Sequence, residues 1–215
     1  KTIPGVYVPS LYEVTYNEDG TIKLDGISMT KEDIEGFNKI YIVACGTAYH
    51  AGLVGKYIIE KLAKVPVEVD VASEFRYRDP ILLPGETVMV ISQSGETADT
   101  LAALRLAKEK GCKVIGLCNV VGSSIAREAD VVLYTQAGPE ISVASTKAMC
   151  SQMTLIALMA LYYGQRRSPA VKDDALLRAL ADLPHQLGAV LPAMQERAAA
   201  LALRFASARS FFYLG

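Results

Sequence analysis

The sequence predicts an α/β fold: a three-layer, doubly wound sheet of five parallel strands with a C-terminal helical appendage. Two observations predict it. Apolar runs of strand length alternate with stretches of helical spacing between residues 39 and 163, which implies right-handed crossovers and a parallel sheet. The runs are also nearly continuous, as expected of strands covered on both faces.

Residues 1–37 read as an irregular lead-in, with Pro4, Pro9 and the turn-forming Asn17-Glu-Asp-Gly20 between two β-like pieces. Lys31–Glu35, with a cap at Thr30, suggests a short helix. Lys39–Cys45 is the first strand of the sheet. Gly46-Thr47 leads into a helix over about 48–63, with Ala51, Val54, Ile58 and Leu62 on one stripe. The further strands are Val65–Val71, Thr87–Ile91, Lys113–Cys118 and Asp130–Tyr134. Glu74–Asp79, dense in charge, reads as a solvated loop or a subunit interface. A helix over about 96–110 turns Thr97, Leu101 and Leu104 inward and Arg105, Lys108 and Glu109 outward, and Gly111 stops it. Residues 146–163 are helical in length and apolar nearly all round, so more than one neighbour should bury them.

After Gly164–Pro169 the composition shifts. Residues about 172–209 are rich in Ala and Leu at helical spacing, and breaks near Pro184 and Pro192 imply one or two amphipathic helices. The last stretch, Arg209-Ser-Phe-Phe-Tyr-Leu-Gly215, resembles Lys39–Gly46: a basic residue, an apolar strand, then Gly. It reads as the first strand of a second copy of the same fold, truncated there. The expected division is 1–37 lead-in, 38–165 ligand-binding domain, and 166–215 helical linker plus that strand.

Composition excludes several classes. With Lys+Arg 22 against Asp+Glu 23, the net charge of −1 gives no field to attract nucleic acid or an anionic membrane. The absence of Trp and 7% aromatics also argue against base stacking. The four cysteines (Cys45, Cys112, Cys118 and Cys150) form no C-x-x-C pair, and with two histidines the chain is not expected to hold zinc. Cys45, Cys118 and Cys150 sit in apolar surroundings, which implies buried free thiols in a reducing cytoplasm. The start of the chain lacks a signal pattern, and the apolar run at 153–161 is too short to span a bilayer. His50 and His185 read as structural residues.

In an open parallel sheet, ligands bind beyond the carboxyl ends of the strands, where strand order reverses. Three loops fall at such ends: Cys45–Ala48, Ser92–Thr97 and Ile141–Lys147. Each places hydroxyls beside a helix N-terminus, whose first N–H groups lack partners and favour an anion. A lone Ser or Thr there is ordinarily a cap. Ser92, Ser94 and Thr97 flank Gly95 within six residues, which a single cap does not explain, and spacing leaves cap and anion site both open. Neither G-x-G-x-x-G nor a P-loop is present, so hydroxyls and amides without a clustered cation suit a sugar phosphate better than a nucleotide. Lys147 could reach a phosphate or solvate its helix end.

Four segments occur in order at suitable spacing: Ala44-Cys-Gly-Thr-Ala-Tyr-His50, Ala72-Ser-Glu-Phe-Arg-Tyr-Arg78, Ser92-Gln-Ser-Gly-Glu-Thr-Ala-Asp-Thr-Leu101 and Ala137-Gly-Pro-Glu-Ile-Ser-Val-Ala-Ser-Thr-Lys147. Together they resemble the isomerase part of the glutamine–fructose-6-phosphate aminotransferases (glucosamine-6-phosphate synthases), specifically its first sugar-isomerase (SIS) domain, with strands in flavodoxin-like order. The resemblance covers about residues 38–164 and extends more loosely to 215. It implies amination and isomerisation of fructose 6-phosphate to glucosamine 6-phosphate, in a homodimer, with no metal or organic cofactor. By the same resemblance Ser92, Gln93, Ser94 and Thr97 hold the phosphate, and Thr47, Ala48, Val143 and Ser145 line the sugar site. The family commonly has Ser where this chain has Ala48, which leaves only the backbone to take part there.

The family's glutaminase domain begins with a nucleophilic cysteine, whereas residue 1 is Lys, and residues 1–17 do not read like the usual lead-in. The family's acid–base Glu, Schiff-base Lys and cross-dimer His belong to the second SIS domain or C-terminal tail. The resemblance therefore implies a binding half, missing its glutaminase and second SIS domains and inactive alone. The alternative is a SIS module that senses a phosphosugar for a regulator; a purely structural dimerisation domain would bind no ligand.

Overall fold

In the computed structural model, which describes residues 15–16, 18, 22–23, 29–141, 145–168, 171 and 173–212, the lead-in supplies a short antiparallel pairing of β1 (Thr15–Tyr16) with β2 (Ile22–Lys23). Helix α1 (Lys31–Glu35) follows, and its sequence signal is a working capping box. Thr30 Oγ1 accepts from Asp33 N at 3.1 Å, and Thr30 N donates to Asp33 Oδ2 at 2.9 Å. At its other end Arg167 donates to the carbonyls of Ile34, Glu35 and Phe37, placing a cation where the helix dipole is negative.

The apolar runs form β3 (Ile40–Ala44), β4 (Val67–Val71), β5 (Thr87–Ser92), β6 (Lys113–Cys118) and β7 (Val131–Tyr134). They make one parallel sheet in the order β4-β3-β5-β6-β7, the flavodoxin-like order expected. The connecting helices are α2 (Gly46–Ala63), α3 (Ala72–Tyr77), α4 (Ala98–Glu109), α5 (Ser124–Glu128) and α6 (Lys147–Arg167).

Alternation along the strands splits the core into two layers. Tyr41, Val43, Val88, Val90 and Val114 pack with Phe75, Leu104 and Ile125, beneath α3, α4 and α5. Ile40, Ile42, Met89, Ile91, Ile115 and Leu117, all fully buried, alternate with these and point to the other face, toward α2 and α6.

Helix α2 approaches that face closely. A Cβ on Gly52 would stand 2.8 Å from Ile42 Cγ2, and one on Gly55 would stand 2.9 Å from Ile156 Cγ2 of α6. The buried stripe therefore runs through Ala48, Ala51, Gly52, Gly55, Ile59 and Leu62. The expected stripe holds only partly: Ala51 and Leu62 are buried, but Val54 is 42% exposed. Helix contact here is set by the smallest residues, which a hydrophobic count overlooks.

Other expectations are corrected as well. Glu74–Asp79 is no simple loop: α3 occupies Ala72–Tyr77, and Phe75 is fully buried beneath it. The charges pair locally, Arg78 with Glu68 at 2.6 Å and with Asp70, and Arg76 with Asp99 at 3.4 Å. Cys112 and Cys118 are buried and Cys45 half-buried, but Cys150 is exposed on the first turn of α6. That turn has one face open, whereas from Leu155 to Gln165 the helix is buried all round, as its composition implies.

The chain divides into two compact units, residues 1–174 and 175–215. The second contains most of α7 (Asp174–Arg204), one helix that runs through Pro184 and Pro192 instead of breaking. Each proline forfeits one backbone bond, and the Ala/Leu-rich turns around it sustain the helix. Residues 209–212 of the expected terminal strand have no regular structure, and 213–215 lie outside the described residues. No helix among the described residues is long and apolar enough to cross a membrane.

The contact between α2 and β3 makes a testable claim. Gly52→Val drives two methyl groups into the space of Ile42 and should lower stability by about 1–3 kcal/mol, read as a fall in urea midpoint at constant slope.

Candidate functional site

Strand order reverses between β3 and β5, and Ala44 stands in register with Ile91, so the loops after these strands leave the sheet side by side. The third loop returns from β7 to α6, which packs along α2. Together they enclose a cavity of about 480 Å³ lined by Cys45, Gly46, Thr47, Ala48, Ile91, Ser92, Gln93, Ser94, Thr97, Glu140, Ser145 and Gln152. Seven of the eight residues expected at the site thus share one cavity, while Val143 lies outside the described residues.

The first and third loops are tied by Thr47 Oγ1 and Ser145 Oγ, 2.8 Å apart. Within the second, Ser92 Oγ lies 2.9 Å from Thr97 Oγ1 and accepts from Gly95 N at 3.0 Å. Ser94 Oγ accepts from Glu96 N at 3.1 Å. Thr97 occupies the N-cap position of α4, yet its side chain makes no cap bond, because its hydroxyl is turned to Ser92. Capping therefore does not account for this hydroxyl. Helix α2 likewise starts at Cys45 without a side-chain cap. At the third helix, the Glu140 carboxylate accepts from Ala148 N at 3.2 Å and occupies the start of α6 itself. Two of the three helix N-termini are left uncapped by side chains, and the third is covered by a negative charge.

Glu96 belongs to a neighbouring element. Its Oε1 accepts from Ser124 N at 2.7 Å, and that backbone bond holds its carboxyl below the usual glutamate range. It anchors the start of α5 against the loop, as does Ile125 N donating to Gly95 O at 3.0 Å. Asn119 braces the approach to the third loop: its Oδ1 accepts from Thr135 Oγ1 and Ala137 N, and its Nδ2 donates to Gly138 O at 2.8 Å.

Two lining residues escape the sequence reading, Glu140 and Gln152. Glu140 lies within the Ala137–Lys147 segment, but the resemblance assigns it no role there, and Gln152 is a lone polar residue within a largely apolar helix. Gln152 is 1% exposed, and its Oε1 has no hydrogen-bond partner. Lys147 begins α6 and does not line the cavity. Nor does His50, whose ring meets Tyr49 edge-on at 5.5 Å, and His185 is exposed on α7 near Asp182.

Gly95 fixes the loop in two ways. Its φ of +67° suits glycine, and a Cβ there would stand 2.0 Å from Ser123 Oγ. Gly95→Ala should cost at least about 1–3 kcal/mol. Adding Ser123→Gly should recover the steric part and leave the backbone strain, a partition that a double-mutant cycle in urea reads directly.

The comparisons agree with this fold. Residues 34–162 match the SIS domain family. The chain is 54% identical over 196 residues to the isomerizing glutamine–fructose-6-phosphate aminotransferase of Clostridium acetobutylicum, covering 90% of this chain and 32% of that protein. It is 65% identical over 153 residues to the same-named protein of Clostridium tetani, covering 71% of this chain and 25% of that one. The chain thus spans about a third or less of the curated relatives it matches. Among solved structures it is similar to the C-terminal domain of glucosamine-fructose-6-phosphate aminotransferase from Francisella tularensis. There the TM-score is 0.71 and the identity 42%, over 83% of this chain and 50% of that one. On the family match, the parallel sheet and its strand order, the chain belongs to the SIS domain family.

Proposed function

We propose that the cavity binds a hexose 6-phosphate and that the chain is the sugar-phosphate-binding part of an isomerising glutamine–fructose-6-phosphate aminotransferase. The carrying observation is the uncapped start of α4 facing a ring of hydroxyls, Ser92, Ser94 and Thr97, at the strand-order reversal. A phosphate there takes hydrogen bonds from hydroxyls and helix N–H groups, with the helix end adding about 0.3–1 kcal/mol. Among the described lining residues there is no Lys or Arg, and Glu140 is the one carboxylate. Its charge orients the ligand, with phosphate toward α4 and the polyol toward α6. Gln93, Thr47, Ser145 and the backbone of Ala48 then face the sugar, and Val143 completes that wall in this reading. The names of the relatives supply the hexose and the reaction.

Moving a proton between adjacent sugar carbons and capturing ammonia at a carbonyl both need a positioned acid–base group. Glu140 is the one carboxylate offered, and it is held by Ala148 N. The chain alone is therefore a binder, and the glutaminase and second SIS domains of the proposed whole enzyme supply the chemistry. Calorimetry should detect fructose 6-phosphate binding that Ser94→Ala with Thr97→Ala abolishes, and a product assay with ammonia should show no glucosamine 6-phosphate. Binding that survives both substitutions, or turnover by this chain alone, would overturn the assignment.

A homodimer belongs to the same proposal. Tyr77, Ile81 and Leu83, at 75%, 80% and 59% exposure, are the apolar side chains such a contact would cover. Sedimentation should show a dimer that Ile81→Asp weakens; an unchanged sedimentation coefficient would move the interface elsewhere.

A further inference from the structure

Gln152 is a costly residue where it stands. It lies on α6 between Ser151, whose hydroxyl is satisfied by Lys147 O at 2.9 Å, and the apolar stretch that begins at Leu155. The residue lines the cavity, is 1% exposed, and keeps an Oε1 with no partner. Leaving a buried amide oxygen unsatisfied is destabilising, and an apolar side chain of the same length would avoid that cost. The neighbouring polar groups are already engaged: Thr47 with Ser145, and Glu140 with Ala148 N. Ala48, which lines the same wall, has no polar side chain to offer.

A buried amide oxygen without a partner, on a residue that lines a cavity, has a use for its free hydrogen-bonding capacity. It carries both an acceptor and a donor group, a match for sugar hydroxyls, which also do both. It carries no charge, so it adds nothing for phosphate. We propose that Gln152 is a specificity-determining residue, hydrogen-bonding a hydroxyl at the polyol end of the ligand and so distinguishing a phosphorylated sugar from phosphate alone. This rests on the hexose-phosphate reading above and goes beyond it, since it assigns sugar discrimination to α6, away from the phosphate loop. A site built to bond a hydroxyl rejects a ligand that lacks it, because its own polar group is then left unpaired.

The test measures two ligands and one ligand-free property on the same variants. Fructose 6-phosphate and inorganic phosphate are titrated calorimetrically into the parent chain and into Gln152→Met, which keeps length and removes the amide. The expected result is a loss of about fivefold to tenfold in fructose 6-phosphate affinity with phosphate affinity unchanged. The ligand-free thermal midpoint should rise by about 2–4 °C, because the unpaired amide is gone. Gln152→Leu provides the same reading should Met repack poorly. An equal loss for both ligands, or no loss for either, overturns the assignment of Gln152 while the phosphate site stands. A falling thermal midpoint with an unchanged ratio of affinities likewise assigns Gln152 a purely structural role and overturns it. Failure of the parent to bind either ligand overturns the phosphate site and this inference with it.

Discussion

β3 pairs in parallel on both sides, with β4 and with β5, and the crossovers that follow it diverge. Helix α2 leaves β3 for one face of the sheet, while α4 leaves β5 for the other. Everything functional in the unit depends on that divergence. Two neighbouring strands end in register, yet their helices move apart, so the space between them cannot be filled by either helix. The constraint that keeps the crevice in place is the close seating of α2, with Ile42 and Ile156 occupying the room where Gly52 and Gly55 lack side chains. A larger residue at either position would push α2 outward and separate Thr47 from Ser145.

The hydroxyl loop after β5 divides its labour in a way that its composition alone does not disclose. Ser92 orders the turn by accepting from Gly95 N, and it draws Thr97 away from the cap position's usual bond. Glu96 serves α5 instead of the cavity. The loop is therefore braced from behind by α5 and presents an uncapped helix end in front. A cap that bonded its own helix would have consumed the N–H groups an anion needs.

The strands were legible because strands covered on both faces leave short apolar runs rich in Val and Ile, whereas the apolar run of α6 is of helical length. The cap at Thr30 was equally plain, being entirely local, and the structure adds the reciprocal bond to Asp33. What failed locally was decided by tertiary contact. Phe75 is one aromatic among charges, and only the surface beneath α3 shows that it is core. The Val54 stripe was inferred from hydrophobicity, whereas α2 is buried through glycines. Pro184 and Pro192 read as breaks, since sequence shows the bond each forfeits but not how well its neighbours sustain the helix. Glu140 stood inside the Ala137–Lys147 segment without a role assigned to it, and Gln152 had no pattern at all. The one available signal was a Gln inside an apolar helix, and its meaning depends on a cavity that only the assembled fold supplies.

The cavity is electrically asymmetric, and that asymmetry bears on how it discriminates. In the proposed binding mode, hydroxyls and helix N–H groups would hold a phosphate without a fixed cation, an arrangement that any phosphate ester of suitable size would satisfy. Selection would then come from the opposite end, where the Glu140 carboxylate covers the start of α6 and would repel a second anion. Polar but uncharged groups there, Thr47, Ser145 and Gln152, suit a polyol. Thr47 and Ser145 already hold one another, so either can bond a ligand only as a shared partner. The unpaired Oε1 of Gln152 would lose nothing on meeting a ligand hydroxyl, so in the proposal above it would contribute more to the difference between ligands than groups whose bonds must first be broken.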